Sequence, residues 1–419
     1  MTNRESIVEK IKDCAFPLKS PADLDPLIHA IGDADIVLLG EASHGTSEFY
    51  TWRAELSKRL IADKGFSFIA VEGDWPSCYT LNRYVKQYNG AAPNSREALR
   101  DYNRWPTWMW ANEEILQFAG WLYDYNRSQM PDTRIGFYGL DVYSLWESMD
   151  EILKHLEKTG SPELDIARKA FACFDPYNRE AQNYGVSAAF LSESCEQEVV
   201  RLLKELQSKR QQGDNRDEAL LSDELNALVA VNAERYYQSM VRGGPESWNI
   251  RDQHMVEALD RIKTFYGQGA KAIVWEHNTH IGDARATDML EDGMVNVGQL
   301  VREKYGEDRV YAVGFGTHRG TVIASDQWGG EIKTMTVPEA LKDSWEDLVH
   351  RAGAFDKILM LDRQDFTEPI GHRAIGVVYN PRRERGNYVP TILPQRYDAF
   401  IHIDESHALS PLKQEVLHI

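Results

Sequence analysis

Little in this 419-residue chain suits a polyanionic partner. Its 47 lysines and arginines are outnumbered by 65 acids, leaving a net charge of −18. The one basic cluster, Arg382-Arg383-Glu384-Arg385, is interrupted by an acid. Such a surface repels nucleic acid and anionic membrane faces alike. No apolar run approaches transmembrane length, and the first residues, Met1-Thr2-Asn3-Arg4-Glu5-Ser6, hold no apolar signal core. Cysteine is scarce. Cys14, Cys78, Cys173 and Cys195 make no CxxC pair and no zinc-ribbon spacing, so isolated reduced thiols and a cytoplasmic location are expected. No Walker sequence occurs, and no GxGxxG follows a strand-like run, so nucleotide cofactors have no support. Ser43 lies in Gly40-Glu41-Ala42-Ser43-His44-Gly45, one residue too long for a Gly-x-Ser-x-Gly elbow. A nucleophilic serine is therefore not expected.

What is present is a pattern repeated at strand ends. Ile36-Val37-Leu38-Leu39 is a short apolar run of the kind buried on both faces, and it stops at Gly40 before placing Glu41 and His44 on a turn. Phe66 to Val71 ends on Glu72, Ile135 to Leu140 on Asp141, and Ala272 to Trp275 on Glu276-His277-Asn278-Thr279-His280. Val310 to Phe315 ends near Thr317-His318-Arg319. Ile358 to Leu361, Ile375 to Tyr379 and Phe400 to Ile403 end at Asp362, Asn380 and Asp404. Helix-like segments separate the early runs, which suits β-α-β crossovers and an α/β fold, with a central, mostly parallel sheet flanked by helices. In a parallel sheet the strand ends share one side, where ligands bind. Glu41, His44, Glu72, Asp141, His277 and His280 should therefore meet in one cleft.

Residues 145–267 contain no convincing strand and read as amphipathic helices, with breaks at Gly160-Ser161-Pro162 and Arg242-Gly243-Gly244-Pro245. Strand-forming sequence resumes at Lys271. The expectation is a helical insertion forming a second lobe within one domain spanning residues 1–419.

Three groups of side chains carry candidate chemistry. Arg53 shares a helical stripe with Phe49, Leu56 and Leu60. A guanidinium beneath an apolar face needs a carboxylate or must snorkel out, and Glu41 and Glu72 are the candidate partners. His277 and His280, three positions apart past a strand end, could ligate a metal, stabilise an oxyanion or act as an acid, or simply bond within a loop. With His44 and Glu72 they would make a zinc ligand set, but HExxH is absent. Arg53 and the acids offer a metal-free alternative, so no cofactor is expected, with a divalent metal as the alternative. Aromatics crowd the stretch from Tyr102 to Tyr125, mostly as core, while Trp105-Pro106-Thr107-Trp108 is turn-like. Trp105, Trp108 and Asp141 are candidate substrate contacts.

With these residues in view, the chain resembles the erythromycin esterase family. The matching elements are Gly40-Glu41-Ala42-Ser43-His44, Arg53, Val71-Glu72 with Asp74-Trp75-Pro76, Gly139-Leu140-Asp141, Asn249-Ile250-Arg251-Asp252 and His277-Asn278-Thr279-His280. Gly314 to Gly320 and Tyr397 to Asp404 extend the match nearly end to end. The resemblance implies ester hydrolysis, with macrolide lactone opening, and hence antibiotic resistance, as the best-known activity. It also implies a deep cleft between an α/β core and a helical lobe. Its functional residues fall on Glu41, His44, Arg53, Glu72, His277 and His280. The expected reaction is hydrolysis of a small-molecule ester or lactone by water activated at His44, with no covalent intermediate. The alternatives are a metal-dependent ester or peptide hydrolase on the same residues, and a catalytically silent binding protein.

Overall fold

The computed structural model describes residues 3–177, 184, 194–212 and 216–413. Among these, eleven strands run in chain order: β1 (Ala15–Pro17), β2 (Ile36–Leu39), β3 (Phe68–Asp74), β4 (Gly136–Asp141), β5 (Ala272–Trp275), β6 (Val310–Ala324), β7 (Lys333–Val337), β8 (Lys357–Met360), β9 (Ile370–Arg373), β10 (Tyr388–Thr391) and β11 (Ala399–Ser406). Nine of them form one sheet in the order β1-β8-β11-β6-β2-β5-β3-β4, with β7 returning beside β6. The run from β11 to β4 is parallel throughout. On the other side, β8 and β1 are antiparallel.

The central strands are apolar without alternation because both faces are covered. Ile36 and Leu38 pack with Phe68, Ala70, Val274 and Ala312 on one side of the sheet. Val37 and Leu39 pack with Ile69, Val71, Ile273 and Trp275 on the other. Long helices follow β2 (Ser47–Lys64) and β3 (Trp75–Val85). The first ends at Gly65, whose φ of 71° is the left-handed geometry that closes a helix. Between β4 and β5 the described residues hold helices Leu145–Thr159, Leu164–Ala172, Glu196–Gln212, Glu218–Arg242 and Glu246–Tyr266, and no strand. The helix Glu218–Arg242 is buried along most of its length, and the helices on either side of it in the chain both pack against it.

Three sequence expectations need correction. Ile375 to Tyr379 is not a strand: Ile375 bridges to Ser43 and Val378 to Ser325, each as a single pairing between connections. The neighbouring strand is β9, which pairs with β10 in a separate two-stranded sheet. The strand at Val310 does not stop near Phe315 but runs to Ala324, because β11 pairs with it as far as Gly320 and β7 from Gly320 to its end. The cysteines are not all isolated thiols either. Cys173 and Cys195 form a disulfide with Cα atoms 5.8 Å apart, since the helices Leu164–Ala172 and Glu196–Gln212 beside them pack together. Cys14 and Cys78 are free. Among the described residues no helix is long and apolar enough to cross a membrane.

Candidate active site

The loop after β2 is held tightly. A side chain at Gly40 would run into Asn278, and one at Gly45 into the Ile323 carbonyl, so the two glycines let the loop lie against the turn after β5 at one end and against β6 at the other. Between them Glu41 and His44 turn together. His44 Nδ1 lies 2.9 Å from Glu41 Oε1, and Arg53 Nη2 donates to Glu41 Oε2 at 2.7 Å. Arg53 is 0% exposed and Glu41 1%. The guanidinium lies 4.3 Å from the Tyr50 ring centre and 4.8 Å from that of Trp275, so aromatic faces cover a cation that has given up water. Ser43 pairs with Thr46 through its hydroxyl.

A second network stands beside the first. Glu72 lies inside β3, at a register shift between Val71 and Asp74, a bulge that re-aims side chains. Arg251, from the helix Glu246–Tyr266, donates through Nη2 to Glu72 Oε1 at 2.7 Å and to Asp141 Oδ2 at 2.7 Å. Its Nε donates to Asp141 Oδ1 at 2.9 Å. The remaining oxygen of Glu72 accepts the backbone N–H of His277 at 2.8 Å. Arg251 Nη1 lies 2.9 Å from His280 Nε2. A guanidinium only donates, so His280 Nε2 accepts and its proton sits on Nδ1, facing Asp252 at 2.9 and 3.0 Å. Trp248 stacks flat on this ring at 4.5 Å.

His277 is poised differently. Its Nδ1 accepts the Thr279 backbone N–H at 3.3 Å, which leaves the proton on Nε2. That buried Nε2 has no partner among the described residues. The His277 and His44 rings are 4.8 Å apart. Burial, and then the charge of His44, hold the His277 pKa well below its ordinary value, so the ring is neutral. For His44, burial pulls the pKa down, but the Glu72 and Glu41 carboxylates prevail and raise it. Burial would raise Glu72, yet the Arg251 guanidinium and the His44 ring hold it far below the usual carboxylate range. Asp141 is likewise lowered, because Arg251 outweighs its burial. Glu276, just past β5, is fully buried with neither oxygen bonded among the described residues, and burial pushes its carboxyl well up.

Of these groups, His44, Glu72, Asp141 and Arg251 line a cavity of about 140 Å³, whose wall also includes Tyr143 and Trp328. A larger one of about 400 Å³ lies between the helices Trp75–Val85, Leu145–Thr159 and Glu218–Arg242 and touches none of the residues described above. The structure thus brings together Glu41, His44, Arg53, Glu72, His277 and His280. Asp141 also lies on the cavity wall. Trp105 and Trp108 do not: Trp108 is fully buried in the core, and Trp105 packs between Trp108 and Trp328. The partner of Arg53 is Glu41 and not Glu72, which Arg251 holds instead. Arg251 and Asp252 were missed as site residues. A signal for them existed, since Asp252 shares the buried stripe of Met255, Val256, Leu259 and Ile262, the same anomaly that singled out Arg53.

Comparison with known proteins follows the same outline. The model of the family described as erythromycin esterase matches residues 61–406. Erythromycin esterase type II of Escherichia coli is 23% identical over 389 residues, which cover 82% of this chain and 85% of that protein. The crystal structure of a succinoglycan biosynthesis protein superposes with a TM-score of 0.80 at 23% identity, covering 98% of this chain and 100% of that one. An erythromycin esterase with a histidine-to-asparagine mutation, in its open conformation, gives a TM-score of 0.65 at 16% identity, with 97% and 99% covered.

Proposed function

The chain belongs to the erythromycin esterase family and is a hydrolase, and from that premise we propose that it cleaves a carboxylic ester or lactone with water activated by His44. The observation that carries this reading is the chain Arg53–Glu41–His44. Arg53 fixes the Glu41 carboxylate, Glu41 accepts the Nδ1–H of His44, and Nε2 has no hydrogen-bond partner among the described residues, on a side chain that lines the cavity. In that tautomer Nε2 is a base. It removes a proton from water as the oxygen attacks the ester carbonyl carbon. The tetrahedral oxyanion that forms is met by the free Nε2–H of His277, a neutral donor on the neighbouring ring. When the C–O bond breaks, the alkoxide takes back the proton held by His44, giving acid and alcohol. Glu72, Asp141 and Arg251 position this pair and set its charge.

Metal participation is not part of the proposal, and the donor set gives the reason. Both nitrogens of His280 and both oxygens of Glu72 are engaged, and the Arg251 cation sits among them. A divalent ion there would meet a guanidinium and spent lone pairs. Macrolide lactones are the first substrates to test, because the relative from Escherichia coli is an erythromycin esterase. A cavity of about 140 Å³ takes the ester-bearing edge of such a ring rather than the whole molecule. The experiment is incubation with erythromycin and with simple esters, read by mass spectrometry for a product one water heavier, using wild type and His44→Ala. Hydrolysis by wild type alone is expected, and equal hydrolysis by both would overturn the role of His44.

A further inference from the structure

The connection from β6 to β7 carries Trp328, whose side chain is 65% exposed. Single exposed apolar residues are ordinary. Trp328 differs, because it alone of the large exposed apolar side chains among the described residues lines the catalytic cavity. Its position is also fixed. The Trp328 ring centre is 4.6 Å from that of Trp105. Trp105 in turn meets the buried Trp108 edge to face at 5.4 Å, and its indole N–H donates to the Gly330 carbonyl at 3.2 Å. Trp105 therefore ties the connection to the core and holds Trp328 at the mouth.

Pro106, Met109 and Val377 add apolar side chains to the same lining, beside the charged Glu72, Asp74, Arg104, Asp141 and Arg251. The lining therefore offers charged groups beside which an ester would react and apolar side chains, Trp328 among them, against which the rest of the molecule would rest. A two-carbon acyl ester has nothing to lay against the indole. An ester carrying a rigid ring would cover it and recover the burial that Trp328 lacks in the free protein. We propose that Trp328, supported by Trp105, is a specificity-determining residue that selects esters whose non-reacting part presents a rigid alicyclic or aromatic face. The inference rests on the ester-hydrolase reading above.

The test compares ethyl cyclohexanecarboxylate with ethyl acetate by pH-stat, using wild type, Trp328→Ala and Trp328→Phe. In Trp328→Ala the ratio of kcat/KM for the ring ester to that for acetate should fall about tenfold, the loss lying in KM, as removal of apolar contact predicts. Trp328→Phe should restore most of the ratio, since it keeps an aromatic face. An unchanged ratio in Trp328→Ala, or a loss confined to kcat, would overturn the proposal while leaving ester hydrolysis standing. If wild type cleaves neither ester nor erythromycin, the underlying reading fails and the inference falls with it.

Discussion

Replacing Arg53 with methionine removes a fully buried cation from a carboxylate that is itself almost fully buried. The 2.7 Å bond to Glu41 is lost, together with the stacking on Tyr50 and Trp275. Methionine roughly keeps the volume of the apolar stem, so cavity formation adds little. The main cost is the stranded charge, typically about 3–5 kcal/mol when one member of a buried pair is removed. Scaling the usual unfolding entropy per residue to this length, each kcal/mol moves Tm by roughly 1 °C, so a drop of about 3–6 °C is expected. Urea unfolding measures the same loss directly. Activity should suffer as well: with Arg53 gone, Glu41 acts on His44 uncompensated and pushes its pKa further up. The decisive comparison is a double-mutant cycle with Glu41→Gln. Adding Glu41→Gln to Arg53→Met removes the stranded charge and should recover most of the stability but none of the turnover. If Arg53→Met unfolds within about 1 kcal/mol of wild type, or Glu41→Gln recovers nothing, the buried-pair argument is wrong.

Other expectations follow from the same geometry. His44→Ala should keep its circular dichroism spectrum and lose about a hundredfold or more in kcat; normal turnover in a folded variant would remove His44 from the mechanism. Because His44 works as a base and its pKa is raised above 6.5, kcat/KM should rise with pH along a limb centred above 6.5. Glu41→Gln takes away one of the raising charges, so in whatever activity remains that limb should move to lower pH; a limb that stays put contradicts the assignment. Elemental analysis of the purified protein should find no stoichiometric zinc, and prolonged chelation should leave turnover intact. Near-equimolar metal with chelator-sensitive activity would favour a metal hydrolase instead.

Most of the sheet was legible because a strand buried on both faces has to be written as a continuous apolar run, and a carboxylate or histidine at its end stands out. That logic located β2, β3, β4, β5, β8 and β11 within a residue or two at their starts. It failed where apolar residues serve other ends. Ile375 to Tyr379 looks like a strand but only bridges two connections. The stretch Gly316-Thr317-His318-Arg319-Gly320 of β6 reads as loop and becomes strand because β11 pairs along it, with β7 continuing the pairing from Gly320 to Ala324. Nothing local marks Cys173 and Cys195 as partners, since their approach depends on how two helices dock. The lip was half legible in the same way. Trp105 is conspicuous in an aromatic stretch, but Trp328, which it supports, comes from a remote connection.

The charge pattern explains why the site draws on so many segments. Parallel strands bring their ends side by side, and here those ends carry acids: Glu41 after β2, Glu72 and Asp74 in β3, and Asp141 in β4. Asp74 and Asp141 are register partners. Left alone, such neighbours would repel and raise one another's pKa. Each instead has an arginine supplied by a connecting segment. Arg53 reaches Glu41 from the helix after β2, Arg104 reaches Asp74 from the segment before β4, and Arg251 spans Glu72 and Asp141 from the helix before β5. The acids can be read at strand ends, whereas Arg53 and Arg251 sit on helices and Arg104 on a bend elsewhere in the chain. Only the fold shows which cation answers which acid. His44 therefore faces carboxylates already partly neutralised, with Arg251 opposing the rise that Glu72 and Glu41 cause in its pKa. Were Arg251 absent, the acids would hold His44 protonated to higher pH, and the base would be lost where it is needed.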